Sequence, residues 1–469
     1  MSLDPARIES IVAEVLDRLD GGDAAGGGAL GIHRTLDEAV AAARRSFAAF
    51  REVPLETRDR IIASIRRTML ASLETLSKLA VSETGLGRVE DKILKNRLVT
   101  EKTPGIEDLV PEVRTGDHGL TLFERAPYGP LAVITPVTNP SETIICNGIG
   151  MIAGGNTAVF CPHPSARKVS SATIDLFNRA ARRGGAPEPL LHSIEEPTIE
   201  VAQALLRYPG IRLNVVTGGP GVVREAMASG KKSICAGPGN PPSVVDETAD
   251  LEQAARDLVM GASLDNNIIC TDEKEIVCVS IVADRLKEAM GRAGAIVLPP
   301  HQVETLRRLV LEYEKGPRKH AGVNKKYVGR NVDVILREAG ISCDPSRRLA
   351  LCEVDGDHPF LWTELMMPVL PLVRVRNVDE AIEFAVEVEH GFRHTASMHS
   401  RNIDKLSKMA RACDCSIFVK NGPNASGLGW NGEGPTSFTI ASPTGEGMTT
   451  ARSFTRLRRC SLVDRFRIV

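Results

Sequence analysis

The chain has 469 residues, which is enough for two or three domains. Its 42% hydrophobic and 25% charged residues are typical of a folded protein and exclude a disordered one. Its 58 basic residues balance 59 acidic ones and only 4% of residues are aromatic, so it lacks the positive charge and the stacking side chains of a nucleic-acid-binding protein.

The sequence also predicts neither a membrane protein nor a secreted one. No segment reaches the roughly 18 consecutive apolar residues of a membrane span, and no basic segment followed by an apolar one begins the chain. The ten cysteines are irregularly spaced and include no C-x-x-C pair, which disfavours disulfides and a structural metal site. We therefore expect a cytoplasmic protein without a metal.

Residues 1–20 predict an amphipathic helix that stands apart from the rest of the chain. Asp4 can cap this helix, and residues 21–31, rich in glycine, follow it as a flexible linker. The helix either packs on its own subunit or serves as a docking peptide for another protein, and the linker favours the second interpretation. Its apolar residues recur at helical spacing: Ile8, Ile11, Val12, Val15, Leu16 and Leu19.

The remaining chain predicts an α/β fold. Alternating strands and helices indicate a parallel sheet with a ligand crevice at the carboxyl ends of its strands. The predicted elements are, in chain order, helices over 33–102, strands over 112–126 and 132–134, strand 157–161, a helix from Ser165 to Gly184, strand 211–217, helix 222–229, strand 233–236, helix 250–260, strand 275–282 and a strand-like tail over 436–469.

Two loops that follow predicted strands could hold a phosphate group. The loop 217–221 reads Thr-Gly-Gly-Pro-Gly, and glycines there let the backbone approach a phosphate at the start of the next helix. The loop 162–165 follows its strand in the same way. Neither loop matches the pattern G-x-G-x-x-G, so each could equally be a plain turn.

Cys270 is a candidate nucleophile because it lies in a loop between helix 250–260 and strand 275–282. A single cysteine is more often buried filler than a reactive group, so its position alone does not establish a role.

Six blocks of sequence, however, occur in an order and at spacings that resemble the aldehyde dehydrogenase superfamily, in particular its CoA-acylating branch from bacterial microcompartments. The resemblance covers nearly the whole chain. The blocks are Ile-Thr-Pro-Val-Thr-Asn-Pro at 134–140, Gly-Asn-Thr-Ala-Val-Phe-Cys-Pro-His-Pro-Ser at 155–165, Thr-Gly-Gly-Pro-Gly at 217–221, Asn-Asn-Ile-Ile-Cys at 266–270, Glu-Leu-Met-Met-Pro-Val at 364–369 and Gly-Glu-Gly-Pro-Thr at 432–436.

The resemblance implies an aldehyde dehydrogenase-like α/β fold with a Rossmann-like cofactor domain, an α/β catalytic domain and β-strand oligomerisation arms. It also implies a homodimer or homotetramer. The expected division is an encapsulation-type helix at 1–20, a linker at 21–31, an NAD- and CoA-binding domain at 32–235 with an oligomerisation strand region at 112–126, a catalytic domain at 236–435 and an oligomerisation tail at 436–469.

The resemblance further assigns site residues. Cys270 is the expected nucleophile and Glu364 the residue that contacts the cofactor ribose. Asn139 is the expected oxyanion donor, although Thr138 occupies the position of that asparagine in hydrolytic members and remains the alternative. Ile268, Ile269 and Met366 are expected to line a pocket for a short aliphatic aldehyde. The expected cofactor contacts are Thr138, His163, Pro164, Ser165, Gly218, Gly219, Pro220, Gly221, Ala236, Gly237 and Glu364.

Two departures from the hydrolytic members are informative. Ala236 occupies the position of the glutamate that activates the deacylating water, so hydrolysis of an acyl-enzyme should be slower by roughly 10²–10⁴. A thiol such as that of coenzyme A needs less activation than water. His163 and Ala166 replace the lysine and glutamate that bind the adenosine ribose, which fits a site visited in turn by NAD and CoA.

The resemblance therefore implies NAD-dependent oxidation of a short aldehyde to acyl-CoA through a thioester on Cys270. Propionaldehyde is favoured and acetaldehyde comes next, because residues 1–20 and the stretch 422–429 resemble the propanediol-utilising group. The helix 1–20 is then expected to bind a shell protein and to bring the enzyme into a microcompartment. A hydrolytic aldehyde dehydrogenase and an inactive shell-associated scaffold remain the alternatives.

Overall fold

The computed structural model describes residues 29–469. The predicted helix 1–20 and all but the end of the linker 21–31 lie outside this range. None of the helices described is long and apolar enough to span a membrane. Each of the ten cysteines is a free thiol.

The helices of the described residues include the predicted helical region after residue 33. They are, in chain order, α1 (Leu36–Phe50), α2 (Leu55–Ala71), α3 (Leu73–Thr84), α4 (Val89–Lys102), α5 (Pro140–Ala153), α6 (Arg167–Arg183), α7 (Ile199–Arg207), α8 (Pro220–Met227), α9 (Leu251–Ser263), α10 (Ser280–Arg292), α11 (Pro300–Val310), α12 (Val332–Glu338), α13 (Val378–Val388) and α14 (Ile403–Cys413).

The strands of the same residues are mostly short. They are β1 (Ile32–His33), β2 (Glu112–Gly116), β3 (Gly119–Pro127), β4 (Pro130–Thr135), β5 (Thr157–Pro162), β6 (Leu191–Ile194), β7 (Leu213–Thr217), β8 (Lys232–Ala236), β9 (Pro242–Val245), β10 (Glu275–Val279), β11 (Ala295–Leu298), β12 (Leu311–Tyr313), β13 (Gly322–Val323), β14 (Leu349–Val354), β15 (Val369–Val375), β16 (Thr395–His399), β17 (Ile417–Lys420), β18 (Ile440–Ala441), β19 (Gly447–Met448) and β20 (Thr455–Val463).

The chain divides into two compact units. The first unit combines the chain up to Thr84 with Ile93–Ala236 and Pro435–Val469. The second unit combines Gly85–Lys92 with Gly237–Gly434. The functions assigned to the ranges 32–235 and 236–435 stay predictions.

The first unit contains the parallel sheet that the sequence predicts. Its six strands lie in the order β1-β6-β5-β4-β7-β8, and every neighbouring pair is parallel. Strands β4 and β5 are buried along their whole length, as expected for a parallel sheet covered on both faces. The predicted α/β fold is confirmed.

A second sheet of the first unit is antiparallel and has three strands in the order β2-β3-β20. Strand β20 pairs with β3 from Thr455 to Val463, so the C-terminal tail joins the hairpin of β2 and β3. Most of β20 is exposed. The predicted strands are confirmed here, and their role in oligomerisation stays a prediction.

The second unit contains a parallel sheet of seven strands in the order β11-β14-β15-β10-β9-β16-β17. Its centre, β10, begins five positions after the candidate nucleophile Cys270. The backbone that follows the nucleophile is therefore anchored by neighbouring strands on both sides.

Several predicted boundaries are wrong by a few residues. The strand predicted over 275–282 ends at Val279, because helix α10 begins at Ser280 and turns the following apolar residues inward at helical spacing. The helix expected from Ser165 begins at Arg167, after a short helical turn. The tail predicted as a strand from 436 forms its long strand only from Thr455, since prolines and glycines produce turns before it.

Candidate active site

The loops that the sequence singles out in the first unit lie together at one edge of its sheet. They follow the carboxyl ends of β5, β4, β7 and β8, which are adjacent strands with parallel register. Backbone pairing continues past the strands, because the amide of Gly218 donates to the carbonyl of Ala236 at 3.3 Å. This edge is where a parallel sheet binds ligands, so the structure brings the predicted cofactor contacts of this unit to one place.

The start of helix α8 is open to a phosphate group. Gly219 precedes the helix, and no side chain accepts a hydrogen bond from its first turn. A Cβ atom placed on Gly219 or Gly221 would meet no other described atom within 4 Å. The free backbone amides and the helix dipole favour an anion here, so these residues fit the pyrophosphate of a dinucleotide.

After the loop 162–165, unlike at the start of α8, side chains already accept hydrogen bonds from the backbone amides. The His163 ring accepts a hydrogen bond from the amide of Ser165 at 3.2 Å, which caps the short turn. The amides of Lys168 and Val169, in the first turn of α6, donate to the carboxylate of Glu83 at 2.8 and 2.7 Å. Burial raises the pKa of Glu83, while these two bonds lower it. An acidic side chain therefore already occupies this helix start, a feature that no sequence pattern indicated.

Asn139 precedes helix α5, but its side chain does not cap that helix. The Lys95 ammonium donates to its Oδ1 at 2.6 Å, and its Nδ2 donates to the Thr138 hydroxyl at 3.1 Å. Since an ammonium group only donates, this contact fixes which end of the amide is the oxygen. Lys95 also pairs with Glu142 at 3.2 Å, and both side chains are buried. Sequence analysis identified Asn139 and Thr138 but missed the lysine and the glutamate.

In the second unit, Cys270 ends a loop with an unusual backbone. Asp265, Asn266 and Asn267 have φ angles of 47°, 57° and 64°, so three consecutive residues are left-handed. Asp and Asn tolerate this conformation better than other non-glycine residues, yet it still costs free energy. Such a turn persists only where its surroundings hold it in place.

Hydrogen bonds from the loop's own side chains hold this turn. The Asn267 amide donates to the carbonyls of Ala262 and Glu273, both at 2.9 Å. The Asn266 amide donates to the carbonyl of Gly329 at 2.9 Å. Asp265 pairs with Lys92 at 3.0 Å in a fully buried ion pair. The nucleophile therefore follows a segment with little freedom to move, which favours a fixed attack geometry.

Lys274 holds the other end of the loop through hydrogen bonds. Its ammonium donates to the carbonyl and to the side-chain oxygen of Asn267, both at 2.8 Å, and to the carbonyl of Ile269 at 3.0 Å. The side chain is buried, and the sequence analysis did not single it out.

The Cys270 thiol is protonated at neutral pH in this structure. Burial is the main cause, and together with the nearby Glu364 carboxyl it raises the pKa of the thiol to about 12. The positive charge of Lys274 acts in the opposite direction. Cys270 is nevertheless partly exposed, so a substrate can reach it. Attack by this sulfur therefore requires a proton acceptor.

Glu364 is placed close enough to Cys270 for their charges to interact. Burial raises the pKa of its carboxyl to about 7, while Lys274 and the backbone amide of Gly239 lower it. The structure thus brings together the predicted nucleophile and the predicted ribose contact.

His394 is a further group of this site. A Cβ atom on Gly239 would lie 2.8 Å from the carbonyl oxygen of Cys270 and 3.0 Å from Cγ of His394, so only glycine fits between them. Burial lowers the pKa of His394 to about 4, with a smaller effect of Lys274, and the ring is therefore neutral at neutral pH. Its Nδ1 bonds to the Thr395 hydroxyl at 2.8 Å, whereas its Nε2 is buried and has no hydrogen-bond partner among the residues described.

The three predicted pocket residues differ in accessibility. Ile268 and Ile269 are buried, and Met366 is partly exposed. Met366 and Ile268 both border Gly329, whose amide donates to the Met366 carbonyl at 2.9 Å. A role in aldehyde binding stays a prediction for all three.

Comparisons with known proteins show what this chain is similar to. The model of the aldehyde dehydrogenase family matches residues 20–297. The acetaldehyde dehydrogenase (acetylating) EutE of Salmonella typhimurium is 51% identical over 94% of this chain and 94% of its own length.

Two solved structures are also similar. A Rhodopseudomonas palustris propionaldehyde dehydrogenase with bound CoA and an acylated cysteine is 48% identical, with a TM-score of 0.90 over 92% of this chain and 98% of that one. A propionaldehyde dehydrogenase from the fucose utilisation microcompartment of Clostridium phytofermentans is 43% identical, with a TM-score of 0.91 over 94% of this chain and 100% of that one.

Proposed function

Because this chain belongs to the aldehyde dehydrogenase family, we propose that it oxidises a short aliphatic aldehyde with NAD and transfers the acyl group to coenzyme A. One observation carries the choice of acceptor. Ala236, at the position of the water-activating glutamate, is a buried apolar residue at the end of β8 and has no group that could activate water. An acyl group on Cys270 then depends on a better nucleophile than water, and a thiol is one.

The first half-reaction forms a thioester. Cys270 attacks the carbonyl carbon of the aldehyde, and His394 accepts the thiol proton at its unpartnered Nε2. The backbone amide of Cys270 stabilises the oxyanion, and such a donor is worth about 3–4 kcal/mol. Asn139 stays the predicted second donor. When bound, NAD would accept the hydride that leaves the same carbon, and the start of α8 and Glu364 stay the predicted contacts for it.

The second half-reaction releases the product. His394 first releases to solvent the proton that it took from Cys270, which is the proton that the overall oxidation produces. The CoA sulfur then attacks the thioester carbon, the bond from that carbon to the Cys270 sulfur breaks, and the CoA thiol proton passes through His394 to the Cys270 sulfur. The cysteine is thereby ready for another aldehyde. Because two substrates react in turn with one sulfur atom, the kinetics should be of the ping-pong type.

An assay of NADH formation with and without CoA tests this function. We expect continuous NADH formation with aldehyde, NAD and CoA, and a single burst close to one equivalent per site without CoA. The solved relatives above are named for propionaldehyde and the curated one for acetaldehyde. We favour propionaldehyde, and the same assay across aldehydes of two to four carbons ranks them. Continuous turnover without CoA, with free acid as product, would instead support a hydrolytic enzyme.

We further propose that the helix 1–20, which lies outside the described residues, binds a microcompartment shell protein. The similarity to the Clostridium phytofermentans enzyme, whose source is a microcompartment, supports this proposal. Deleting residues 1–20 should leave the acyl-CoA activity of the purified protein unchanged and should abolish its co-purification with shells. Loss of soluble activity would instead indicate that the helix packs on its own subunit.

We also propose a homodimer or homotetramer built through the antiparallel sheet β2-β3-β20. The support is that large apolar side chains of this sheet are exposed in the single chain, among them Val113, Leu457 and Val463.

A further inference from the structure

Lys274 is a buried cation. Its side chain is 4% exposed, and its positive charge acts on the buried carboxyls of Glu273, Glu275 and Glu364, where it counteracts the rise in pKa that burial causes. All three of its ammonium hydrogens are used by neutral oxygens, two on Asn267 and one on Ile269. Burying an ammonium group in this way carries a desolvation penalty, which a leucine or methionine at this position would avoid. A structural role alone therefore does not account for the charge.

The groups around Cys270 indicate what the charge of Lys274 does. The negative charges of Glu364 and Asp272 disfavour the thiolate of Cys270, and the positive charge of Lys274 favours it. The proposed reaction places negative charge on that sulfur twice, first when the thiol loses its proton and again when the thioester is broken. In a buried site, where water screens charges little, one nearby ammonium group has a large effect on such an anion.

We propose that Lys274 is the positioning residue of the nucleophile: its ammonium group binds the carbonyls of the loop that ends in Cys270, and its charge stabilises the thiolate formed there. This inference rests on the proposed function only in taking Cys270 as the nucleophile. The sequence indicated neither part of this role. Lys274 directly precedes the buried strand β10, and a lysine at that place is expected to lie in an exposed, charged loop.

Alkylation of the intact protein by iodoacetamide tests the inference, because it needs neither aldehyde nor CoA. The rate is followed for the peptide that contains Cys270 by mass spectrometry at pH 8–10. Lys274→Gln keeps hydrogen-bond donors but removes the charge, so we expect Cys270 to react at least tenfold more slowly. Lys274→Arg keeps the charge and should remain within about threefold of the natural protein. The exposed Cys460 serves as an internal control whose rate should not change.

Thermal unfolding identifies variants that do not fold. A folded Lys274→Gln variant whose Cys270 reacts at the natural rate would overturn the proposal. If Lys274→Gln does not fold, Lys274→Arg decides, since a tenfold loss of thiol reactivity in a folded variant with its charge intact would also overturn it. Glu364→Gln removes an opposing charge and should change the rate in the other direction. If the natural protein alkylates as expected but makes no acyl-CoA, the proposed function fails while this inference stands.

Discussion

Replacing Cys270 with alanine is expected to lower acyl-CoA formation by at least about 10⁴-fold, because no other group of the site can form the thioester. The measurement is NADH formation with aldehyde, NAD and CoA. A second measurement locates the bond itself: the natural protein incubated with aldehyde and NAD, but without CoA, should carry one acyl group on the peptide that contains Cys270. The variant should carry none.

Cys278 provides the matched control for this experiment. Burial also raises its pKa to about 12, but its side chain is fully buried in β10, whereas Cys270 is partly exposed. Cys278→Ala should therefore reduce stability slightly and leave the activity within about twofold, since accessibility and not the resting pKa selects the nucleophile. An acyl group found on any other cysteine, or acyl-CoA formation that survives in Cys270→Ala, would contradict the proposed chemistry.

Cys270 and the glycine loops could be singled out as candidates because their signals are local in sequence, whereas their roles were assigned only by the resemblance. The glycines at 218–221 lie between a buried strand and a helix, and that order alone indicates a turn at the edge of a parallel sheet. Cys270 follows a run of Asp and Asn residues, which fits the left-handed turn that the structure shows. The sequence did not predict that the turn would span three consecutive residues, because the hydrogen bonds that stabilise it come from residues distant in the chain, such as Gly329.

The groups that the sequence missed share a different property. His394, Lys274 and Glu83 become part of a site only through tertiary contacts. His394 is brought to Cys270 because it directly precedes β16, which lies beside β9 in the sheet of the second unit, and because Gly239 leaves room between the two residues. A buried histidine just before a strand has no periodicity that distinguishes a reactive ring from one whose nitrogens all have hydrogen-bond partners. That Nε2 of His394 has no hydrogen-bond partner among the described residues follows from tertiary packing, which one sequence does not reveal.

His394→Asn is expected to lower turnover by about 10²–10⁴-fold, the range for loss of a general base. Asparagine can keep the contact that Nδ1 makes with the Thr395 hydroxyl while removing Nε2, so the loss would report on proton transfer. The pH profile separates this from a structural effect. The pKa of His394 is lowered to about 4, so its base form is present throughout pH 5–9 and does not limit the natural enzyme there. Without that base, hydroxide must remove the thiol proton, and the rate of the variant should rise about tenfold for each pH unit.

His399 is the matched control for this prediction. It ends strand β16, which begins directly after His394, its pKa is also lowered to about 4 by burial, and its Nε2 is likewise buried without a hydrogen-bond partner in the described part of the chain. It lies five positions after His394 along extended backbone, which places it about 16 Å farther on. His399→Asn should therefore keep the natural turnover and pH profile. Equal losses in the two variants would mean that these buried histidines support folding alone, and an unchanged pH profile in His394→Asn would assign the thiol proton to another acceptor.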